Sequence, residues 1–243
     1  MGSESIQDLA KWPALGVLGG MGTFASLKFA EEFYSLFHDL PDHKRPRIVL
    51  DVDTSIPSRG RHILYGEKSP VPEILNALEG LSEIGGGVLT VVCNSAAALL
   101  SLEEIQLEDN FVNIIDATCL AIPSSKIEFE PCLVIGGQVT FRLSPYRKPL
   151  QEKGFSQVEL SHHDQSMIES HIEDVKKFGF RRASQEALHQ MLINFQEHYH
   201  TGLIILACTE LDFMEDNLLG IQVINSRIEL ASHIFNKFYQ GQR

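Results

Sequence analysis

Two cysteines close apolar runs in the same way. In VLTVVCNSAAALL, residues 88–100, Cys93 ends a β-rich stretch and is followed by Asn94 and Ser95; in LIILACTEL, residues 203–211, Cys208 is followed by Thr209 and Glu210. A free cysteine in apolar surroundings is ordinarily a small buried hydrophobe, and Cys119 and Cys132 are read that way. Cys93 and Cys208 differ because each stands where a strand is expected to give way to a helix N-terminus. There, unpaired N–H groups and the helix dipole favour thiolate and also attract a carboxylate. One thiol on each side of a bound carbon is what two-base proton exchange needs: one thiolate removes a proton from one face, and the opposite thiol returns one to the other. The outcome is inversion at carbon.

The surrounding pattern says what positions these thiols. ALGVLGG, RIVLDVD, GGVLTVVC, FVNIID, CLVIGG, QVEL, LIILAC and IQVIN are short, mostly apolar and bounded by Gly, Pro or polar residues, as strands buried on both faces are. Helix-length segments lie between several of them. In TFASLKFAEEFYSLFHDL the residues Phe29, Phe33, Leu36 and Phe37 recur at helical spacing behind Thr23 as a cap, and PEILNALEGLSEIGGG ends in C-capping glycines. The fold class is α/β with parallel sheet.

The pattern also repeats. VLGGMGTF at 17–24 matches VIGGQVTF at 134–141 at an offset of 117, the two Cys-ended runs lie 115 apart, and NIIDA at 113–117 pairs with QVINS at 222–226 at 109. Two similar parallel-sheet α/β domains related by pseudo-two-fold symmetry account for this. Ligands of open parallel sheets bind beyond the carboxyl ends of the strands. The two Cys tips are therefore expected to face each other across a cleft between the domains.

Composition limits the ligand. The chain has 243 residues, 44% of them hydrophobic, and a net charge of −12. That length buries a sizeable core, and that charge disfavours nucleic acid or an anionic membrane surface as a partner. A small molecule is expected instead. MGSESIQDLAKW has no apolar signal core, Ile6 stands where a myristoylation signal needs Ser or Thr, and no apolar run is long enough to span a membrane. With four cysteines and no CxxC, the expectation is a cytoplasmic protein with free thiols.

GVLGGMGT, PSRG after DVDTSI, VVCNSAA and LACTEL, in this order and spacing, resemble the cofactor-independent aspartate/glutamate racemase superfamily, most closely its aspartate racemase branch. The resemblance runs from about Leu15 to about Phe238. It implies Cys93 and Cys208 as the catalytic pair, no cofactor and no metal, an acidic amino acid as substrate with aspartate ahead of glutamate, and a homodimer. It implies that Asn94, Ser95 and Thr209, with Met21 and Gly22, hold the α-carboxylate and amino group. Arg59 and Lys177 then serve the distal carboxylate. If the segment after Cys208 packs back on the first half, as the resemblance implies, the domains are 13–110 plus 210–243 and 111–209.

The residues themselves support these assignments unequally. A guanidinium binds carboxylate in bidentate fashion, and Arg59 follows a strand tip; a solvated loop arginine is the competing reading. Lys177 competes with a solvated helix face and with its neighbour Lys176. For Glu210, contact with the substrate ammonium, tuning of Cys208 and a plain helix N-terminal acid all stay open. The family commonly has Pro, Thr and His where this chain has Thr23, Ser95 and Ala97. Its glutamate branch has His where Glu210 stands, which leans away from a dedicated glutamate racemase.

Rival readings are a non-catalytic binder of acidic amino acids and a dinucleotide enzyme. The second rests on Gly20-Met21-Gly22-Thr23-Phe24-Ala25 with Asp51 or Asp53 ending the next strand, about ten residues later than that fingerprint places its acid. His162, His163 and Asp164 suggest a metal less than they suggest a surface loop. An exposed FNKFY near the C-terminus is expected to offer an apolar patch.

Overall fold

The computed structural model describes residues 12–125, 130–213 and 220–240. The N-terminal stretch read above for targeting signals lies outside them, apart from Trp12. All eight expected strands form: β1 (Ala14–Gly19), β2 (Ile48–Val52), β3 (Gly86–Val91), β4 (Phe111–Val112), β5 (Glu130–Ile135), β6 (Phe155–Val158), β7 (Leu203–Leu206) and β8 (Gln222–Asn225). They make two four-stranded parallel sheets, ordered β2-β1-β3-β4 and β6-β5-β7-β8. The orders are the same when β1 is matched to β5, β2 to β6, β3 to β7 and β4 to β8. The repeat in the sequence is thus a repeat of sheet topology.

Ten helices connect the strands among the described residues: α1 (Thr23–Ser35), α2 (Arg59–Tyr65), α3 (Val71–Glu83), α4 (Asn94–Leu102), α5 (Ile114–Ala121), α6 (Gln138–Leu143), α7 (Arg147–Glu152), α8 (His162–Phe178), α9 (Arg182–Tyr199) and α10 (Ser226–Gln240). A central apolar cluster joins Leu15 and Val17 of β1 to Leu203 and Ile205 of β7 through Phe29 and Phe33 of α1, Ile114 of α5, and Leu230 and Ile234 of α10. Each such side chain fully buried contributes about 1.5–3 kcal/mol. The outer face of the first sheet packs on Ile74 and Leu78 of α3, and that of the second on Ile168 of α8 and Leu188 of α9.

Several local expectations change. Gly22, not Thr23, is the N-cap of α1. FVNIID is strand only at Phe111–Val112, because the Asn113 side chain accepts from Ile115 N and caps α5. His162, His163 and Asp164 open α8 instead of lying in a loop: the Ser161 side chain caps the helix by accepting from Asp164 N, and Asp164 accepts from Tyr199 Oη at 2.5 Å. In FNKFY, Phe238 is 2% exposed and stacks on Trp12, while Phe235 packs edge-on against Phe37, so only Tyr239 is exposed among its aromatics. Helical spacing puts Phe235 and Phe238 on one face, and that face is docked.

Sheet membership also cuts across the expected domain limits. Phe111–Val112 pair with β3 and Gln222–Asn225 pair with β7, so the first sheet ends after residue 112 and the second after 225. The helix that follows, α10, does return to pack against α1 as well as α5.

Candidate active site

A cavity of about 310 Å³ opens where both sheets end. Its walls follow the carboxyl ends of the central strands: Met21 after β1, Cys93–Ser95 after β3, Gly137–Val139 after β5 and Ala207–Glu210 after β7. In each sheet the strand order reverses between these two strands, which is where open α/β sheets bind ligands. Helix α2 adds Arg59, and α8 adds Glu169, Ile172, Glu173 and Lys176. Both thiols therefore line one space, contributed by equivalent strands of the two halves.

Local structure differs between them. Cys93 is the N-cap residue of α4, with extended φ −162° and ψ 114°, and its carbonyl accepts from Ala97 N at 3.0 Å. The helix expected after Cys93 starts at Asn94, with no cap hydrogen bond to the Cys93 side chain. Cys208 instead begins a turn, closed by Leu211 N donating to its carbonyl at 3.0 Å, and no helix follows among the described residues before 214. What flanks Cys208 is Glu210: the thiol donates to Oε2 at 3.1 Å, and Thr209 Oγ1 donates to the same oxygen at 3.3 Å. Burial, then the charge of Glu210 and the hydrogen bond to it, push the Cys208 thiol well above its ordinary pKa.

Among the described residues, two polar atoms in the cavity wall are buried without a partner. Arg59 donates to Met21 O at 2.9 Å and Pro57 O at 3.1 Å, which leaves its Nε–H unpaired; Glu210 Oε1 is likewise unpaired. Unpaired buried polar groups are rare and costly. Here one is a cationic donor and the other an acidic acceptor, a complement to a ligand bearing both carboxylate and ammonium.

Glycines bring the first turn to the site. Gly20 has φ +84°, and a Cβ there would lie 2.2 Å from Asp53 O. A Cβ on Gly22 would lie 1.7 Å from Glu210 Oε1, so Gly22 shapes the seat of that carboxylate without lining the cavity itself. Asp53 accepts from Ser55 N and Oγ, within its own turn.

Lys177 is a correction. It points away from the cavity, with Nζ 5.0 Å from the Phe178 ring centroid, and Lys176 lines the wall instead. Cavity residues Glu169, Ile172, Glu173 and Lys176 follow the i, i+3, i+4, i+7 rule of one helix face, and Lys177 falls off it. Lys176 pairs with Glu173 at 2.7 Å. Burial alone would lower its pKa, but Glu173 and the charges of Glu210 and Cys208 outweigh that and keep the ammonium. Ala97 packs in the central core and is not among the cavity residues.

Sequence reasoning missed the residues that hold this wall. Tyr146 Oη donates to Asn94 Oδ1 at 2.5 Å while Asn94 Nδ2 donates to Ser226 Oγ at 2.8 Å, so Asn94 is oriented from the second half and from α10. Gln165 Nε2 donates to Gly136 O at 2.9 Å, which ties α8 to the turn after β5. These contacts span 52, 132 and 29 positions, and no local pattern announces them.

The fold and the cavity define a class: a duplicated parallel α/β protein with one thiol from each half in a shared pocket. Residues 18–233 match the Asp/Glu/Hydantoin racemase family, and the chain belongs to that family. It is similar in structure to the Picrophilus torridus aspartate racemase, with TM-score 0.79 and 27% identity over 93% of this chain and 94% of that one. An aspartate racemase homologue from Pyrococcus horikoshii OT3 shares the fold at TM-score 0.71 and 19% identity, covering 93% and 99%. So does glutamate racemase from Francisella tularensis in complex with D-glutamate, at 0.62 and 16%, covering 95% and 82%.

Proposed function

We propose that the protein is a PLP-independent, metal-independent racemase of an acidic amino acid, aspartate first and glutamate next, acting through Cys93 and Cys208. The carrying observation is that two thiols from equivalent strand ends line one cavity beside an unpaired guanidinium N–H. Arg59 Nε and Lys176 receive the distal carboxylate. Asn94, Ser95 and the first N–H groups of α4, with Thr209 opposite and the Met21–Gly22 turn, receive the α-carboxylate. Glu210 Oε1 accepts from the ammonium. Lys176, the lysine in the wall, is held as an ammonium, which suits a charge partner and not a Schiff base. The same reading takes the protein as a cytoplasmic homodimer.

In each direction one sulfur, as thiolate, takes the Cα proton while the other, as thiol, delivers one to the opposite face. Cα–H beside a carboxylate is a very weak acid, so N–H groups aimed at the carboxylate, where charge grows, supply much of the stabilisation. Cys208, its proton shared with Glu210, rests as the acid.

The test is incubation of each enantiomer of aspartate and glutamate in D₂O without added cofactor, with Cys93→Ala and Cys208→Ala beside the wild type. Inversion with α-deuterium uptake, absent in both variants, is the expected result. Folded protein that exchanges none of the four substrates overturns the reading and favours a binder of acidic amino acids.

A further inference from the structure

Consecutive residues at the head of α10 grip the segments that carry both thiols. Ser226 Oγ accepts from Nδ2 of Asn94, the residue next to Cys93, at 2.8 Å. Arg227 Nη1 donates to the carbonyl of Thr209, the residue next to Cys208, at 2.5 Å. Asn225, one position earlier, donates to Leu211 O at 3.2 Å and caps α10 by accepting from Arg227 N at 3.0 Å. Ser226 and Arg227 are both 0% exposed, and neither lines the cavity.

Arg227 is itself fixed on several sides. Its Nε and Nη2 bind both carboxylate oxygens of Glu32 on α1 at 2.7 Å each, Nη2 also reaches Asp212 at 2.9 Å, and the guanidinium sits 4.9 Å from the Phe180 ring centroid. Apolar side chains fill a core as well as a buried ion cluster does, so burial alone gives no reason for an arginine here. A forked donor that reaches a loop carbonyl and two carboxylates together gives one.

Neighbouring Cα atoms are about 3.8 Å apart across one planar peptide. The two thiol-bearing segments are thus anchored to a single rigid unit, and neither shifts relative to the other without breaking a buried hydrogen bond. Two-base exchange on one carbon depends on both sulfurs being in reach at once, and small misplacements are expensive in rate.

We propose that Ser226 and Arg227 are positioning residues that set the two thiols in register across the cavity, Ser226 through Asn94 for Cys93 and Arg227 through Thr209 for Cys208. The catalytic meaning of this register rests on the racemase reading. The register itself does not.

The test compares Ser226→Ala, Arg227→Lys and, as a milder route to loosening Arg227, Glu32→Gln. Two readouts are taken: the primary isotope effect for α-deuterated substrate in each direction, and the iodoacetamide alkylation rate of each cysteine by peptide mass spectrometry. Cys93→Ser and Cys208→Ser mark which direction each thiol serves as base. The expected result is one-sided. Ser226→Ala lowers kcat about tenfold or more with little change in KM, raises the isotope effect in the Cys93 direction and alters alkylation of Cys93 alone. Arg227→Lys and Glu32→Gln do the same for Cys208, with Cys119 and Cys132 unchanged as internal references. An isotope effect raised equally in both directions, or alkylation changing at all four cysteines together, marks general loosening and overturns the proposal. If the wild type moves no α-proton, the racemase reading fails separately; one-sided alkylation then still supports the register, and its absence overturns it.

Discussion

The Cys208 thiol donates to Glu210, and burial together with that carboxylate's charge keeps the proton on sulfur. Glu210→Gln removes the charge and retains an acceptor, so the Cys208 pKa falls. In the direction that uses Cys208 as base, the rising limb of kcat is expected to move to lower pH, while the Cys93 direction moves less. Circular dichroism of each enantiomer's conversion across pH measures both limbs, and an unmoved Cys208 limb would sink the assignment. Cys132 makes a different kind of prediction. Burial, then the charge of Glu130, raises its pKa from 9.0 to about 12. A raised folded-state pKa gives stability that is complete below pH 9 and is lost as pH climbs towards 12, because the unfolded chain releases the proton first. In Cys132→Ala, urea unfolding is expected to show a lower plateau near neutrality but a shallower decline above about pH 9. At this scale the thiols, Asn94, Arg59 and Glu210 were legible from residue type and strand-end position. Tyr146, Ser226 and Arg227 were not, because their importance lies in partners far away in the chain.

Elements carry these residues to the cavity, and the turn between β1 and α1 separates stability from function. Gly20→Ala meets backbone: φ is +84°, and the new Cβ lies 2.2 Å from Asp53 O. Left-handed strain of about 1–3 kcal/mol plus the clash is expected to lower the urea midpoint clearly. Gly22→Ala has no such strain, since φ is −168°, and its clash is with the Glu210 carboxylate. That variant is expected to unfold near the wild-type midpoint while losing kcat/KM, and a stability loss matching that of Gly20→Ala would contradict it. Strands were legible because runs buried on both faces are continuous in apolar residues, as IIL in β7 is. Lys176 was not singled out: it stands four residues after Ile172 and three after Glu173, but only the structure shows that this is the cavity face of α8. Motif position favoured Lys177, and the helix period decides against it. Residues 208–211 form a turn and not a helix start, a distinction that short polar sequence does not carry.

At the scale of the molecule, the duplicated sheets bring two strand ends together, but duplication alone does not fix how they face. The first half's α1 supplies Glu32, the second half's turn supplies Asp212 and Thr209 O, and α10 supplies the buried Arg227 between them. The cluster is one cation against two carboxylates, with Glu32 17% and Asp212 10% exposed at the side chain. Removing the cation leaves both anions poorly solvated, and breaking such a buried pair typically costs about 3–5 kcal/mol. Arg227→Met is therefore expected to lose about that much stability near neutral pH. Urea unfolding of wild type and variant near pH 7 measures the deficit, and an unchanged midpoint would contradict it. Glu32→Gln in the Arg227→Met background removes one of the stranded anions and is expected to recover part of the loss, which lost packing by itself would not do.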